Sequence, residues 1–143
     1  MDRYMGWIIL GVLLGLGATN LLGADHAPTS SKLSKLRKSK VEAARETYQV
    51  IWKNYKDGLV PAVEFPYRWS RRWLEAEREM TDGKAEQVAA CKGHLERMRE
   101  MERIERELRR SRLNPVNEFT AAEFYRAEAE IWLTQAQEAT GKN

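Results

Sequence analysis

The chain has 143 residues, of which 24 are basic and 21 acidic, so its formal net charge is only +3. A chain of this length forms one small domain at most, and so weak a charge bias excludes the strong positive field of a typical nucleic-acid-binding protein. The positive excess is local, because residues 31–40 contain no acidic residue and five cations: Lys32, Lys35, Arg37, Lys38 and Lys40.

An uncharged, mainly apolar run occupies residues 5–23, directly after Arg3. This pattern is typical of a signal peptide: a short positive start, an apolar stretch, and small residues before a cleavage site that we place ahead of Asp25. The first interpretation is therefore a cleaved signal peptide over residues 1–24, a basic linker over 25–40 and a helical domain over 41–140.

The same run is also barely long enough to cross a bilayer, whose hydrocarbon core is about 30 Å thick. A retained anchor with the basic residues on its C-terminal side would keep that side cytoplasmic. Cleavage therefore decides between export and membrane anchoring, and both interpretations stay open.

From residue 41 onward the chain has the apolar spacing of helices. Val41, Ala44, Tyr48, Ile51 and Tyr55 follow one another at intervals of 3, 4, 3 and 4 residues, which predicts one apolar face. Gly58 is suited to end this helix in a left-handed conformation, and Pro61 is suited to the first turn of the next.

The next predicted helix mixes aromatic rings with arginines. Phe65, Trp69, Trp73 and Met80 share a face, which predicts a buried aromatic seam, while the arginines among them fall on the outer face. Nucleic-acid platforms place rings and cations on the same exposed surface, so we interpret these rings as structural. Pro66, in the interior of this predicted helix, should bend it.

Two architectures are compatible with the following segment. If residues 61–111 form one helix of roughly 75 Å, an extended hairpin results, and it exposes a packing and interface seam that a second copy or another helical protein would cover. This seam comprises Trp69, Trp73, Met80, Val88, Leu95, Met98 and Ile104. If the chain turns at Asp82-Gly83 instead, four helices form an antiparallel up-down bundle. We favour the long hairpin, because the apolar stripe continues on both sides of Gly83.

A motif recurs with an offset of 54 residues: Leu59-x-Pro61-x-x-Glu64-Phe65 and Leu113-x-Pro115-x-x-Glu118-Phe119. Asn114 and Pro115 are suited to the N-cap and first position of a last helix, whose apolar residues include Phe124, Ala127 and Ile131. The sequence thus predicts two helix-turn-helix repeats, with turns near 58–61 and 112–115.

At these turns the sequence resembles the TolC-like outer-membrane efflux proteins, whose helical domain is itself an internal repeat. Tyr55, Gly58, Glu64, Phe65 and the string Leu74-Glu75-Ala76-Glu77 follow the family's pattern in the first copy, although Arg68-Trp69 stand where the family has Ala-Gln. The second copy keeps Glu118, Phe119 and Ala122-Glu123 but has Leu108 and Arg112 in place of the aromatic residue and the glycine. The resemblance spans roughly residues 41–137 and implies a periplasmic helical hairpin.

No catalytic or cofactor-binding constellation is present in the sequence. Cys91 and His94 have half of a metal-site spacing, but the sequence offers no second pair, and with two histidines no Ser/His/Asp set can be assembled. As a single cysteine, Cys91 can form no internal disulfide, although it could meet a second copy of itself in an antiparallel dimer.

The sequence therefore predicts an all-α, non-enzymatic, exported interaction protein of the cell envelope, with no cofactor, metal or nucleic-acid partner. Its expected partners are itself or another helical envelope protein, such as an efflux-type assembly. The alternative is a membrane-anchored helical protein whose basic segment binds anionic lipid from the cytoplasmic side.

Overall fold

The computed structural model describes residues 26–111, 113 and 116–141, apart from the side chains of residues 26–29 and of Val116. Within these ranges the fold is all-α, as predicted, with four helices and no strand: α1 His26–Lys56, α2 Glu64–Met80, α3 Lys84–Arg110 and α4 Val116–Gly141. The predictions for residues 1–25, and the cap assigned to Asn114 and Pro115, lie outside the described residues. No helix in the described ranges combines the length and apolar character needed to span a bilayer.

The helices run alternately up and down, and each packs against its neighbours in the chain. Contacts between side chains fix this antiparallel register: Lys40 with Glu79 joins α1 to α2, Ser70 with His94 joins α2 to α3, and Arg99 with Glu130 joins α3 to α4. The architecture is therefore the up-down bundle that the sequence left as the alternative.

The chain reverses at residues 81–83, so the favoured single helix over residues 61–111 is wrong. Thr81 and Gly83 both have extended backbone conformations, and the Gly83 amide donates to Thr81 Oγ1 at 3.0 Å. The Gln87 side-chain amide donates to the Arg78 carbonyl at 2.8 Å and to the Thr81 carbonyl at 2.7 Å. Carbonyls that the end of α2 leaves without helical partners are thus satisfied from the first turn of α3, which stabilises the reversal.

The same type of backbone hydrogen bond occurs in each of the two repeated turns. At the end of α1, Gly58 has φ +73° and the Leu59 amide donates to the Asn54 carbonyl at 2.8 Å. At the equivalent place after α3, the Leu113 amide donates to the Leu108 carbonyl at 3.0 Å. A bond that spans five residues backwards ends a helix in the Schellman manner, so the 54-residue echo is a repeat of local structure as well as of sequence.

Helix boundaries correct two predictions. The predicted linker over residues 25–40 is helical from His26 onward. Helix α2 begins at Glu64 rather than at Pro61, so Pro66 lies in its first turn, where the missing N–H deprives the helix of no bond. Pro66 therefore gives no reason for α2 to bend.

The main core draws on all four helices and centres on Met98 and Met101, both 0% exposed, with Tyr55 from α1, Tyr67 from α2 and Ala122 from α4. The predicted seam is mostly internal to the monomer. Leu95 and Met98 are buried; Trp69, Trp73, Val88 and Ile104 are half-buried; Met80 alone of the seven is exposed. The seam does not form the exposed side of a hairpin, because the turn at 81–83 folds α2 and α3 against each other.

The buried face of α2 is also displaced from the predicted one. Phe65 is 44% exposed, whereas Tyr67, Ser70 and Leu74 are buried. Trp69 lies beneath the Arg72 guanidinium, whose central carbon is 4.6 Å from the ring centroid. The arginines do lie on the exposed face, as predicted, and Arg71 pairs with Glu75 at 2.9 Å.

Candidate functional site: exposed helix faces and a buried polar cluster

The outer face of α4 is apolar and exposed. Phe124 is 62% exposed and Ile131 is 56% exposed, and they stand seven residues apart with Ala127 between them. The opposite side of the same helix is in the core, where Phe119, Ala122 and Ala129 are buried. Because residues seven apart stack two turns along a helix, Phe124, Ala127 and Ile131 form one stripe, here called the α4 stripe.

A shallow depression of about 370 Å³ continues the α4 stripe toward the C-terminus of the helix. Its lining combines Ala127 and Ile131 with the polar residues Glu130, Thr134, Gln135 and Glu138. Protein interfaces commonly combine apolar and polar side chains in this way.

The basic segment lies on the first turns of α1. Every side chain from Ser30 to Lys40 is exposed, including the apolar Leu33 and Leu36 at 48% and 58%. Of the five cations, Lys40 alone forms an ion pair with another described residue, a contact of 2.6 Å to Glu79. The segment is therefore a cationic helix with two leucines on its surface.

A buried polar cluster of Ser70, His94 and Arg97 joins α2 to α3. Arg97 Nε donates to Ser70 Oγ at 2.7 Å, and Ser70 Oγ lies 2.8 Å from His94 Nδ1. Because burial, reinforced by the positive charge of Arg97, lowers the pKa of His94 to about 3, the imidazole is neutral at neutral pH. Nδ1 of this neutral ring is therefore hydrogen-bonded to Ser70 Oγ, and Nε2 is buried without a partner among the described residues.

The serine–histidine contact has a structural explanation rather than a catalytic one. Both side chains are 0% exposed, and no acidic residue in the described ranges bonds to the second ring nitrogen of His94. A nucleophile must be reachable by its substrate, and its base needs an orienting group. The sequence gives little sign of this pair, because Ser70 and His94 meet only after the chain reverses at 81–83.

The half metal motif does not develop into a metal site within the described residues. Cys91 is buried, and burial raises the pKa of its thiol. No group of three potential ligands surrounds it or any other point in the described ranges. The burial of Cys91 inside the monomer also places it away from the dimer contact predicted from the sequence.

The repeated turn motif has a structural role that the sequence does not reveal. Glu118, from the first turn of α4, accepts a hydrogen bond from the Val63 amide at the start of α2, at 2.8 Å. Its repeat equivalent Glu64 instead pairs with Arg68 on its own helix at 2.6 Å. Tyr55 and Phe119 are buried, while Pro61 and Phe65 are exposed.

Comparisons of the chain with known protein families, with curated proteins and with solved structures find no match.

Proposed function

We propose that this chain is a non-enzymatic interaction protein of the cell envelope that binds a partner helix along the α4 stripe. The observation that carries the proposal is the pair of large apolar side chains, Phe124 and Ile131, on the solvent side of a helix whose other side is already buried. Exposed apolar surface of this kind marks interaction sites, and a straight stripe two turns long is matched by the apolar face of another helix.

The envelope location rests on the sequence. The apolar run over residues 5–23 favours export, and the resemblance of the repeated turns to TolC-like outer-membrane efflux proteins favours the periplasm. The partner is then a second copy of this chain or another helical envelope protein, such as a component of an efflux-type assembly.

Analytical ultracentrifugation over the micromolar range tests the self-association form of the proposal. We expect the wild-type chain to form a concentration-dependent dimer and the double variant Phe124→Gln, Ile131→Gln to be monomeric. The matched control is Val50→Gln, Leu59→Gln, because Val50 and Leu59 are similarly exposed, at 60% and 73%, but lie off the α4 stripe. If both double variants dimerise like the wild type, the stripe is not the self-association surface.

A second candidate function is favoured by the basic segment of α1. Four of its cations form no ion pair with another described residue, and with the two exposed leucines they suit an anionic lipid surface, where each cation contributes about 1 kcal/mol. In this case residues 5–23 are a retained anchor and the basic segment lies on the cytoplasmic side.

The N-terminus of the native protein separates the two candidates. A mature chain that begins near Asp25 supports the exported protein, and a chain that retains residues 5–23 supports the anchored one. If the anchored form is correct, the protein should also sediment with vesicles that contain phosphatidylserine. Replacing Lys35 and Lys38 by glutamate should reduce this sedimentation.

A further inference from the structure

An open apolar groove lies between α1, α2 and the first half of α3, away from the α4 stripe. It has a volume of about 580 Å³, within the range of ligand pockets, about 300–1,000 Å³. Its apolar lining comes from all three helices: Val41, Trp73, Met80, Ala89, Ala90 and Gly93.

The groove is open because the side chains of α3 that line it are mostly small. Ala90, Gly93 and Arg97 follow one another at intervals of 3 and 4 residues, so they share one face, and Ala89 adjoins it. Two small side chains and a glycine leave open the space that larger residues would fill between α3 and α1.

Arg97 supplies a positive charge at one end of the groove. Its guanidinium stacks on the Trp73 ring, with the central carbon 3.9 Å from the ring centroid, and bonds to Ser70 through Nε and Nη2. None of these partners is anionic, and no carboxylate among the described residues comes within ion-pair distance of Arg97. Its Nη1 lies beside Gly93, 3.4 Å from where a Cβ would stand. The guanidinium is thus held in place by neutral groups and keeps N–H donors for an anion.

Two acidic residues line the groove, Glu77 and Glu86, and neither forms an ion pair with Arg97. Glu77 lines the groove and influences Arg97 electrostatically, but without forming an ion pair. The carboxylate of Glu86 folds back toward Gly83 and the N-terminus of α3: its Oε2 would lie only 2.0 Å from a Cβ at that glycine. Among the described residues, Arg97 is therefore the cation that lines this apolar groove and still has N–H groups available for a ligand.

We propose that this groove binds a small amphipathic carboxylate, with the carboxylate on Arg97 and the apolar tail against Trp73, Met80 and Val41. A guanidinium forms charge-assisted hydrogen bonds to a carboxylate, and these are roughly twice as strong as hydrogen bonds between neutral groups. The proposal concerns a different surface from the α4 stripe and does not depend on it.

Calorimetric titration with three ten-carbon probes tests the head group. Decanoate, decan-1-ol and decylammonium are added separately to the full chain, purified without detergent. We expect decanoate to bind saturably and about ten- to a hundredfold more tightly than decan-1-ol, which corresponds to one hydrogen bond to a charged group. Equal binding of decanoate and decan-1-ol, a preference for decylammonium, which would point to Glu77, or no saturable binding of decanoate overturns the proposal.

Two variants then locate the site. Arg97→Met should remove the preference for decanoate over decan-1-ol while leaving the affinity for decan-1-ol unchanged. Because Arg97 also bonds to Ser70, a second variant, Gly93→Leu, fills the groove and keeps the arginine; it should weaken both probes at least about tenfold. Ala85→Leu, an exposed position of α3 that does not line the groove, is the matched control and should bind like the wild type. Unchanged decanoate binding by a folded Gly93→Leu variant would contradict the proposal.

The double variant Phe124→Gln, Ile131→Gln should bind decanoate normally, so failure of the groove proposal is distinguishable from failure of the proposed function.

Discussion

The two helical hairpins of this bundle reverse direction at similar sequence motifs but are held together by different side chains. In the first hairpin, α1 and α2, aromatic rings meet: Tyr48 lies 5.8 Å from Trp73 between ring centroids and 6.1 Å from Trp52. In the second hairpin, α3 and α4, methionines pack against alanines, and Arg126 on α4 pairs with the buried Glu102 on α3 at 2.7 Å. The repeated motif therefore determines where helices end, whereas the residues between the turns determine how the helices pack.

The largest expected effect comes from the core of the second hairpin. Met98 is 0% exposed at the centre of the main core, so Met98→Ala should leave a cavity and lower the free energy of unfolding by about 2 to 5 kcal/mol. Chemical denaturation measures the change. Val50→Ala, on an exposed face of the first hairpin, should stay within about 0.5 kcal/mol, and equal effects of the two variants would show that Met98 is not a core residue.

The alanines of the second hairpin provide the next test. Ala122 is 0% exposed against the methionines, so Ala122→Leu should overpack the contact and destabilise the protein by about 1 to 3 kcal/mol. Ala43→Leu, at an exposed position on α1, is the control and should be nearly neutral. A stabilised Ala122→Leu variant would mean that α3 and α4 leave space for a larger residue.

The polar cluster that joins the two hairpins should make stability depend on pH. A histidine whose pKa falls from 6.5 in the unfolded chain to about 3 in the folded one takes up its proton more readily when unfolded. The contribution of the neutral His94 ring to the free energy of unfolding is therefore fully present above pH 6.5, and it is lost as the pH falls toward 3. Between pH 7 and pH 5.5 the expected loss is roughly 1 kcal/mol.

The variant His94→Leu separates this effect from other titrations. Denaturation curves at pH 7 and pH 5.5 should differ for the wild type and much less for the variant, even if the variant is less stable at both values. A pH dependence that survives unchanged in His94→Leu would assign the proton uptake to another group.

The sequence was sufficient for the all-α class and for the ends of α1 and α3 at the repeated turns, because apolar spacing and Gly58 act locally. It was insufficient for the reversal at 81–83, since Gln87 stabilises that turn through bonds to the end of the preceding helix, a role that no spacing indicates. On one continuous helix Ser70 and His94 would lie far apart, so their contact could not be predicted either.

The candidate surfaces show the same limit. Phe124, Ala127 and Ile131 form a regular apolar pattern in the sequence, yet the pattern does not say which face of α4 is buried. Helix α4 is apolar on two sides, and the smaller residues Ala122 and Ala129 take the inner one. Phe119 is buried on the inner side as well, so neither the spacing nor the size of the apolar residues of α4 indicates which side faces solvent.

The two repeated glutamates give the smallest expected effect and the most direct comparison of the hairpins. Glu118 accepts a hydrogen bond from the Val63 amide at the start of α2 and so joins the second hairpin to the first. Glu64 instead pairs with Arg68, one turn away on the exposed surface of its own helix. Glu118→Ala removes an acceptor for a helix N-terminal amide and should cost about 1 kcal/mol in the free energy of unfolding. Glu64→Ala removes an exposed helical ion pair and should cost about 0.3 to 0.5 kcal/mol. Denaturation of both variants in low and high salt sharpens the distinction, because salt screens the exposed pair more strongly than the partly buried bond to Val63. If Glu64→Ala is the more destabilising variant, the repeated motif acts within each hairpin, and the link between the hairpins through Glu118 contributes little to the stability of the bundle.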